Sequence, residues 1–357
     1  MVLDAQPVEI LKQEKFLVDQ TAFLGDAILS LPFIQSLKKL NPGSLIDIIT
    51  SPKCEEIFES SPAVNRIYVL DKRGKHKSIW NTIKFAAEMK GEDYSRLYSL
   101  HRSMRTSLLV LYSGIKKTYG FANSVIPWVY KNRIKYHHQY HEVQRNLALL
   151  ENQELVENWK ILPEMILSDK QKNSVDMYLM SYPGNENIIA IAPGSIWETK
   201  KYPAENYFQL IDYFSRTGFT IFLIGGQEEA TICDGFIMNE RVHNLCGKFS
   251  VAETKTILES CKLIITNDSA LTHLGVAANI PVLTIYCSTI PGFGFYPYHE
   301  KGYFIGVDDL DCKPCGIHGH HECPLKHFNC GYLLDTKLVI QKAEIILNDN
   351  EATNAGN

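Results

Sequence analysis

The sequence predicts an α/β protein with parallel sheets covered by helices on both faces, arranged as two domains. Three observations carry that prediction. Apolar runs alternate with amphipathic stretches in a β-α-β-α rhythm. The rhythm lapses around residues 155–168 and then restarts. At 357 residues the chain exceeds one ordinary core.

In the first half, residues 16–23 read as a strand and 25–40 as a helix stopped by Asn41-Pro42-Gly43. Further strands are expected over 45–50, 67–70 and 97–100, and helices over 79–89 and 103–112. The stretch 155–168 contains Pro163 and little turn-to-turn pattern, which marks it as the interdomain linker. Strands follow over 188–192 and 219–224, with helices over 204–216 and 251–260. Leu263-Ile264-Ile265 starts another strand, which runs through the turn Thr266-Asn267-Asp268-Ser269 into a small-residue helix. After Pro281 comes the apolar run Val282–Tyr286. A helix over 336–347 closes the chain, and 349–357 is expected to be a frayed polar tail. The expected domains are therefore 1–165 and 166–335, with 336–357 as closing helix and tail. Two such Rossmann-like halves facing across a cleft would offer a ligand site.

Composition narrows the function. Hydrophobic content of 45% with 21% charged residues is ordinary for a soluble protein. A net charge of −4 gives no overall attraction to nucleic acid. No apolar run reaches the roughly 18–20 residues that span a bilayer. Residues 1–15 mix charged and polar side chains without an apolar core, so no signal peptide is expected. The expected location is cytoplasmic, with peripheral attachment to a membrane surface left open. Nine cysteines are an odd count, and four crowd between Cys312 and Cys330. In a reducing compartment disulfides are not their expected use.

Three turns follow strands of the second half and converge on one sheet edge. In Pro193-Gly194-Ser195-Ile196-Trp197-Glu198-Thr199-Lys200, Gly194 admits close backbone approach, Ser195 and Thr199 offer hydroxyls, and Lys200 offers a cation. Gly225-Gly226-Gln227-Glu228 places Glu228 where ribose hydroxyls could be bound. The third turn, Asn267 to His273, opens a helix whose free N–H groups and dipole favour an anion. Ligands bind along this carboxyl edge in open α/β sheets, so the expected ligand carries phosphate.

Taken in order, Gly194-Ser195, Trp197, Thr199-Lys200 and Pro203, then Gly225-Gly226 with Glu228, Gly247-Lys248, Asn267-Asp268-Ser269 with Thr272-His273, and the cysteine-rich segment form a recognisable series. Together with Leu24-Gly25-Asp26-Ala27-Ile28-Leu29, Leu31-Pro32 and the strand at 43–49, this series resembles glycosyltransferase family 9, the lipopolysaccharide heptosyltransferases, from about residue 16 to residue 345. The resemblance implies a GT-B architecture, with acceptor on the N-terminal domain and nucleotide-sugar donor on the C-terminal one. It implies that Asp26 is the catalytic base. Ser195 and Lys200 would contact the donor phosphates and Glu228 the ribose. Phe249 would lie against the nucleobase, and Asp268, Ser269, Ala270 and His273 would form the donor-sugar and diphosphate turn. The family more often has Gly where this chain has Ala270.

The chemistry is consistent with those roles. Glycosyl transfer needs a base for the acceptor hydroxyl, and Asp26 lies at the end of the first strand. The departing nucleoside diphosphate needs positive charge, which Lys200 and the helix at Ser269 can supply without a metal or other cofactor. Asp26 could otherwise simply favour the dipole of its helix. His273 could be a structural histidine and Lys200 a solvated surface lysine. Arg102 and Arg105, at the start of a helix, suit an acidic saccharide acceptor, or are ordinary helix surface. The basic loop 72–77 is a solvated turn or a contact for anionic headgroups. Cys312, Cys315, Cys323 and Cys330, with His318, His320, His321 and His327 among them, are expected to be reduced thiols packed in a loop, with a tetrahedral zinc site as the alternative. Asp309-Leu310-Asp311 is read as a surface loop. Gly247-Lys248-Phe249 lacks the surroundings of a phosphate-binding P-loop. Gly292-Phe293-Gly294-Phe295 is an aromatic turn suited to shaping a sugar pocket.

The expected reaction is inverting transfer of heptose, from ADP-heptose, to a lipopolysaccharide core or another lipid-linked or acidic glycan at the cytoplasmic face of the inner membrane. Two rivals are a nucleotide-sugar epimerase and a non-catalytic sugar-nucleotide-binding protein.

Overall fold

The computed structural model describes residues 13–182 and 187–355, with side chains as far as residue 350. Residues 1–12, most of the stretch that bears on a signal peptide, lie outside the described residues. No helix among the described residues is long and apolar enough to cross a membrane.

Two six-stranded, wholly parallel sheets form the framework. The first contains β1 (Lys15–Gln20), β2 (Leu45–Thr50), β3 (Arg66–Val69), β4 (Arg96–Ser99), β5 (Thr118–Phe121) and β6 (Asn132–Ile134), in the order β3-β2-β1-β4-β5-β6. The second contains β7 (Ile188–Ala192), β8 (Thr220–Leu223), β9 (Val242–Asn244), β10 (Leu263–Asn267), β11 (Val282–Tyr286) and β12 (Gly302–Gly306), in the order β12-β11-β10-β7-β8-β9. Renumbered from their own first strands, both have the Rossmann order 3-2-1-4-5-6. Each therefore has a switch point, between β1 and β4 in one sheet and between β7 and β10 in the other. The central strands are continuous apolar runs because helices cover both faces; all five residues of β7, β10 and β11 are buried.

The chain divides into two compact units, each holding one sheet. The first comprises the residues up to Thr21, Ile34–Pro52 and Ala63–Lys135, and the second Ala22–Phe33, Lys53–Pro62 and Tyr136–Asn357. Asp26 thus groups with the second sheet. The helix Leu24–Leu40 is shared by the units, and its division falls just after Pro32, whose ring removes a helical hydrogen bond.

Where the elements differ from expectation, the causes are local. The first strand stops at Gln20 rather than at residue 23, because the Asp26 carboxylate accepts a hydrogen bond from the Phe23 N–H at 3.2 Å and Ala27 N–H donates to the Phe23 carbonyl at 3.0 Å, starting the helix there. Residues 155–168 begin inside a short helix, Gln153–Glu157, capped by Asn152. The last helix runs from Thr336 to Ala355, past the expected end at 347 and through most of the tail. The helix Ala204–Arg216 has the expected limits and buries Tyr207, Leu210, Ile211 and Phe214, one stripe at helical spacing.

Candidate active site in the second unit

The switch point of the second sheet brings the end of β7 beside the end of β10, and one side chain locks the two together. Asn267, fully buried, donates through Nδ2 to the carbonyls of Pro193 (2.8 Å) and Gly194 (3.2 Å). Its Oδ1 accepts from the Tyr202 N–H and the Tyr207 hydroxyl, each at 2.9 Å. All polar capacity of the amide is used, so the turn from Pro193 to Tyr202 is fixed against β10.

That turn presents Lys200 to Asp268 at 2.7 Å, with both side chains mostly buried. Thr289, after β11, donates to the same Asp268 oxygen at 2.6 Å. Ser269 caps the helix Ala270–Ala277 by accepting from the Leu271 N–H at 3.3 Å. Its dipole adds to the charge of Lys200 at this edge. Inside that helix His273 is 4% exposed, and its Nδ1 has no hydrogen-bond partner among the described residues. Burial, with Lys200 adding to it and Asp268 opposing, pushes its pKa down to about 4, so the imidazole is neutral at working pH.

Asp26 belongs to the same neighbourhood. A Cβ on Gly25 would come within 3.0 Å of the His273 ring and 3.6 Å of the Ala270 Cα, so glycine allows the Gly25-Asp26 turn to lie against the start of the Ala270 helix. Burial, reinforced by Glu142 and opposed by the N–H groups of Phe23 and Asp26 itself and by Lys200, raises the Asp26 carboxyl to about 7. A carboxylate poised near neutrality can take and hold a proton. Its bond to Phe23 also makes it part of the helix start, so the structural role weighed against catalysis is present as well.

Ser195 is partly exposed on the turn that presents Lys200. Glu228 is exposed and paired with Lys53 at 3.1 Å; its half-buried neighbour Glu229 instead accepts from the Gly226 N–H at 2.8 Å. Phe249 packs edge-on against Tyr178, with ring centroids 4.9 Å apart. Arg102 and Arg105 lie in the first unit, where Arg105 donates to the carbonyls of His76 (2.8 Å) and Lys77. Lys72 of the basic loop turns inward, donating to the Thr21 hydroxyl (2.7 Å) and carbonyl (3.0 Å).

Several residues of the site carried no role in the sequence reading. Asn267 was visible only as part of a motif, and Thr289 not at all. Glu142 and Arg145 lie far from the motifs; the signal for them is the buried ion pair they form at 3.0 Å. Arg145 also donates to the Phe293 carbonyl at 3.0 Å, and the Glu142 N–H donates to the Gly294 carbonyl at 2.8 Å. These bonds tie the aromatic turn to the helix carrying Glu142. In the first unit the β1/β4 switch point gathers Thr21 and Thr106 on His101 Nδ1, at 3.2 and 3.3 Å. Buried Asp19 nearby is raised to about 6 by burial, against the pull of Lys72 and of the Thr106, Thr21 and Ser99 hydroxyls. A cavity of about 390 Å³ is lined by Glu198, Thr199 and Tyr202, but not by Ser195, Lys200 or Asp268.

The sequence pattern of glycosyltransferase family 9 (heptosyltransferase) matches residues 82–327. The chain belongs to this family. The glycosyltransferase is 23% identical over 305 residues to lipopolysaccharide heptosyltransferase 2 of Escherichia coli, covering 78% of this chain and 84% of that protein. Its fold is similar to a family 9 glycosyl transferase from Veillonella parvula, with a TM-score of 0.82 at 23% identity and coverage of 94% and 98% of the two chains. It is also similar to E. coli ADP-heptose lipopolysaccharide heptosyltransferase II, with a TM-score of 0.76 at 20% identity and coverage of 94% and 99%. The glycosyltransferase therefore has the expected α/β GT-B fold and is a transferase.

Proposed function

We propose that this glycosyltransferase moves heptose from ADP-heptose to a lipopolysaccharide core or related acidic glycan, inverting the anomeric centre, with Asp26 as general base. The observation that carries the proposal is the meeting of Asp26, raised to about 7, with the helix start at Ala270 and His273, beside the Lys200–Asp268 pair. The names of the relatives support heptose as the sugar and ADP as the nucleotide.

Asp26 takes the proton of the acceptor hydroxyl as its oxygen attacks the anomeric carbon. The bond to the diphosphate breaks on the opposite face, and the negative charge that develops there meets Lys200 and the N–H groups of the helix capped by Ser269. Neutral His273 contributes polarity rather than charge. Ser195 and the Ala270 backbone contact the diphosphate, Glu228 the ribose, and Phe249 the base. Arg102 and Arg105 bind the acidic acceptor. The reaction takes place in the cytoplasm, with the enzyme held at the inner face of the membrane by its lipid-linked acceptor.

Incubation with ADP-heptose and a heptose-deficient core acceptor tests this. The expected products are ADP and an acceptor one heptosyl residue heavier. Formation of an epimer from donor alone would refute the proposal, as would binding of the donor without turnover under any acceptor.

A further inference from the structure

Cys312, Cys315, Cys323 and Cys330 are spread over nineteen residues of sequence, and all four line one cavity of about 240 Å³ together with His327. None is in a disulfide. Between β12 and the short helix Asn329–Tyr332 the chain has neither helix nor strand. A stretch of that length within a compact unit needs something other than backbone ladders to hold it.

It is held on the donor side by specific bonds. Lys313, inside the Cys312–Cys315 turn, donates to the carbonyls of Tyr286 (3.0 Å) and Val307 (2.8 Å). The Cys315 N–H donates to the Ser288 carbonyl at 3.0 Å. The next residues reach the phosphate-binding turn itself: Thr199 N–H donates to the His320 carbonyl at 3.1 Å, and His320 N–H donates to the Thr199 hydroxyl at 2.8 Å. Gly319, at φ 81°, lies so close that a Cβ there would come within 3.2 Å of Lys200 and Trp197. The four-thiol segment is thus the brace behind Lys200.

We propose that Cys312, Cys315, Cys323 and Cys330 form a structural thiolate site for a thiophilic divalent metal, zinc or ferrous iron, which fixes the brace behind Lys200. Four cysteines, two of them in a C-x2-C turn, are the donor set of tetrahedral sites for such metals. Among the described residues no three candidate ligands already converge on a common point. Binding draws the sulfurs in from the cavity wall by rotation of the cysteine side chains, with the backbone around Lys313 and Cys315 kept in place by its bonds. Each thiol that ligates forms a metal–sulfur bond and releases its proton, with no change of oxidation state. The link to Lys200 rests on the donor site proposed above, whereas the metal site does not.

Metal analysis of the full chain purified without a His-tag, paired with a thiol count after denaturation, tests the site. The expected result is about one zinc or iron per chain, which distinguishes the two metals, with most of it lost in Cys323→Ser. Wild-type protein stripped by a chelator and reloaded with Co²⁺ should show thiolate-to-cobalt absorption in the near ultraviolet, which does not depend on the variant folding. Metal far below stoichiometry with all thiols titratable would overturn the site, and so would a thiol count lowered by disulfides. For the link, stripped protein should bind ADP more weakly, on the order of tenfold, with recovery on reloading with the native metal. A metal-loaded protein whose ADP affinity survives stripping unchanged would overturn the link while leaving the site standing.

Discussion

Asp26 holds its proton more tightly folded than unfolded, about 7 against an ordinary value of 3.8, and two consequences of opposite sign follow. As a base it must be ionised, so kcat/KM should rise with pH and level off above about 7. For stability, the native state binds more protons than the unfolded one throughout that window, so stability falls as pH rises through it. Asp26→Asn keeps an oxygen to accept from Phe23 and removes the charge. It should lower transfer by a factor on the order of a thousand while raising stability at pH 8 by about 1–2 kcal/mol, measured by denaturant unfolding. Loss of both activity and stability would identify Asp26 as a structural helix-start residue. Lys200→Ala should act differently, weakening ADP binding by about 1.5–3 kcal/mol, readable by calorimetry, with a smaller change in kcat. At this scale the sequence showed residues embedded in motifs: Asp26, Lys200, Asp268 and His273. Thr289, Glu142 and Arg145 were hidden because each is tied to the site by a bond across a large sequence separation, to Asp268, Gly294 and Phe293 respectively.

Among the elements, the legible ones were those with strong local patterns. β7 and the helix Ala204–Arg216 have the limits read from apolar runs and helical spacing. Four strands escaped, β5, β6, β9 and β12; the shortest of them, β6 and β9, are three residues long and carry polar side chains, Asn132-Arg133-Ile134 and Val242-His243-Asn244. Their strand state comes from pairing with β5 and β8, not from their own composition. The small residues of the helix Ala270–Ala277 have a packing explanation. A Cβ on Gly275 would meet the methyls of Ile264 and Val282 at 2.7 Å, near the starts of β10 and β11. Gly275→Ala should therefore destabilise the protein by about 1–3 kcal/mol despite the better helix propensity of alanine. Thermal unfolding checks this; a rise in the midpoint would mean that the helix is not seated on the sheet as described.

At the scale of the whole molecule, the two sheets share one strand order, and each gathers polar side chains at its switch point. The periodic rhythm of the sequence made the doubling of the fold legible. It did not show that residues 22–33 group with the second unit, because that grouping depends on contacts distant in sequence. It brings Asp26 into the same unit as Lys200, Asp268 and His273. If the second unit is the donor site, ADP at a hundred times its dissociation constant should stabilise the folded protein by about 2.7 kcal/mol, and UDP or GDP at the same concentration by less. Equal shifts from all three would remove the nucleotide assignment.

The most direct measurement is the pH dependence of heptosyl transfer from ADP-heptose to a heptose-deficient core acceptor, with the anomeric configuration of the product determined by NMR. Asp26 as the base of an inverting transfer predicts an inverted product and a kcat/KM profile whose acidic limb has a pKa near 7 and disappears into background in Asp26→Asn. A retained configuration, or a wild-type rate in Asp26→Asn, would contradict it.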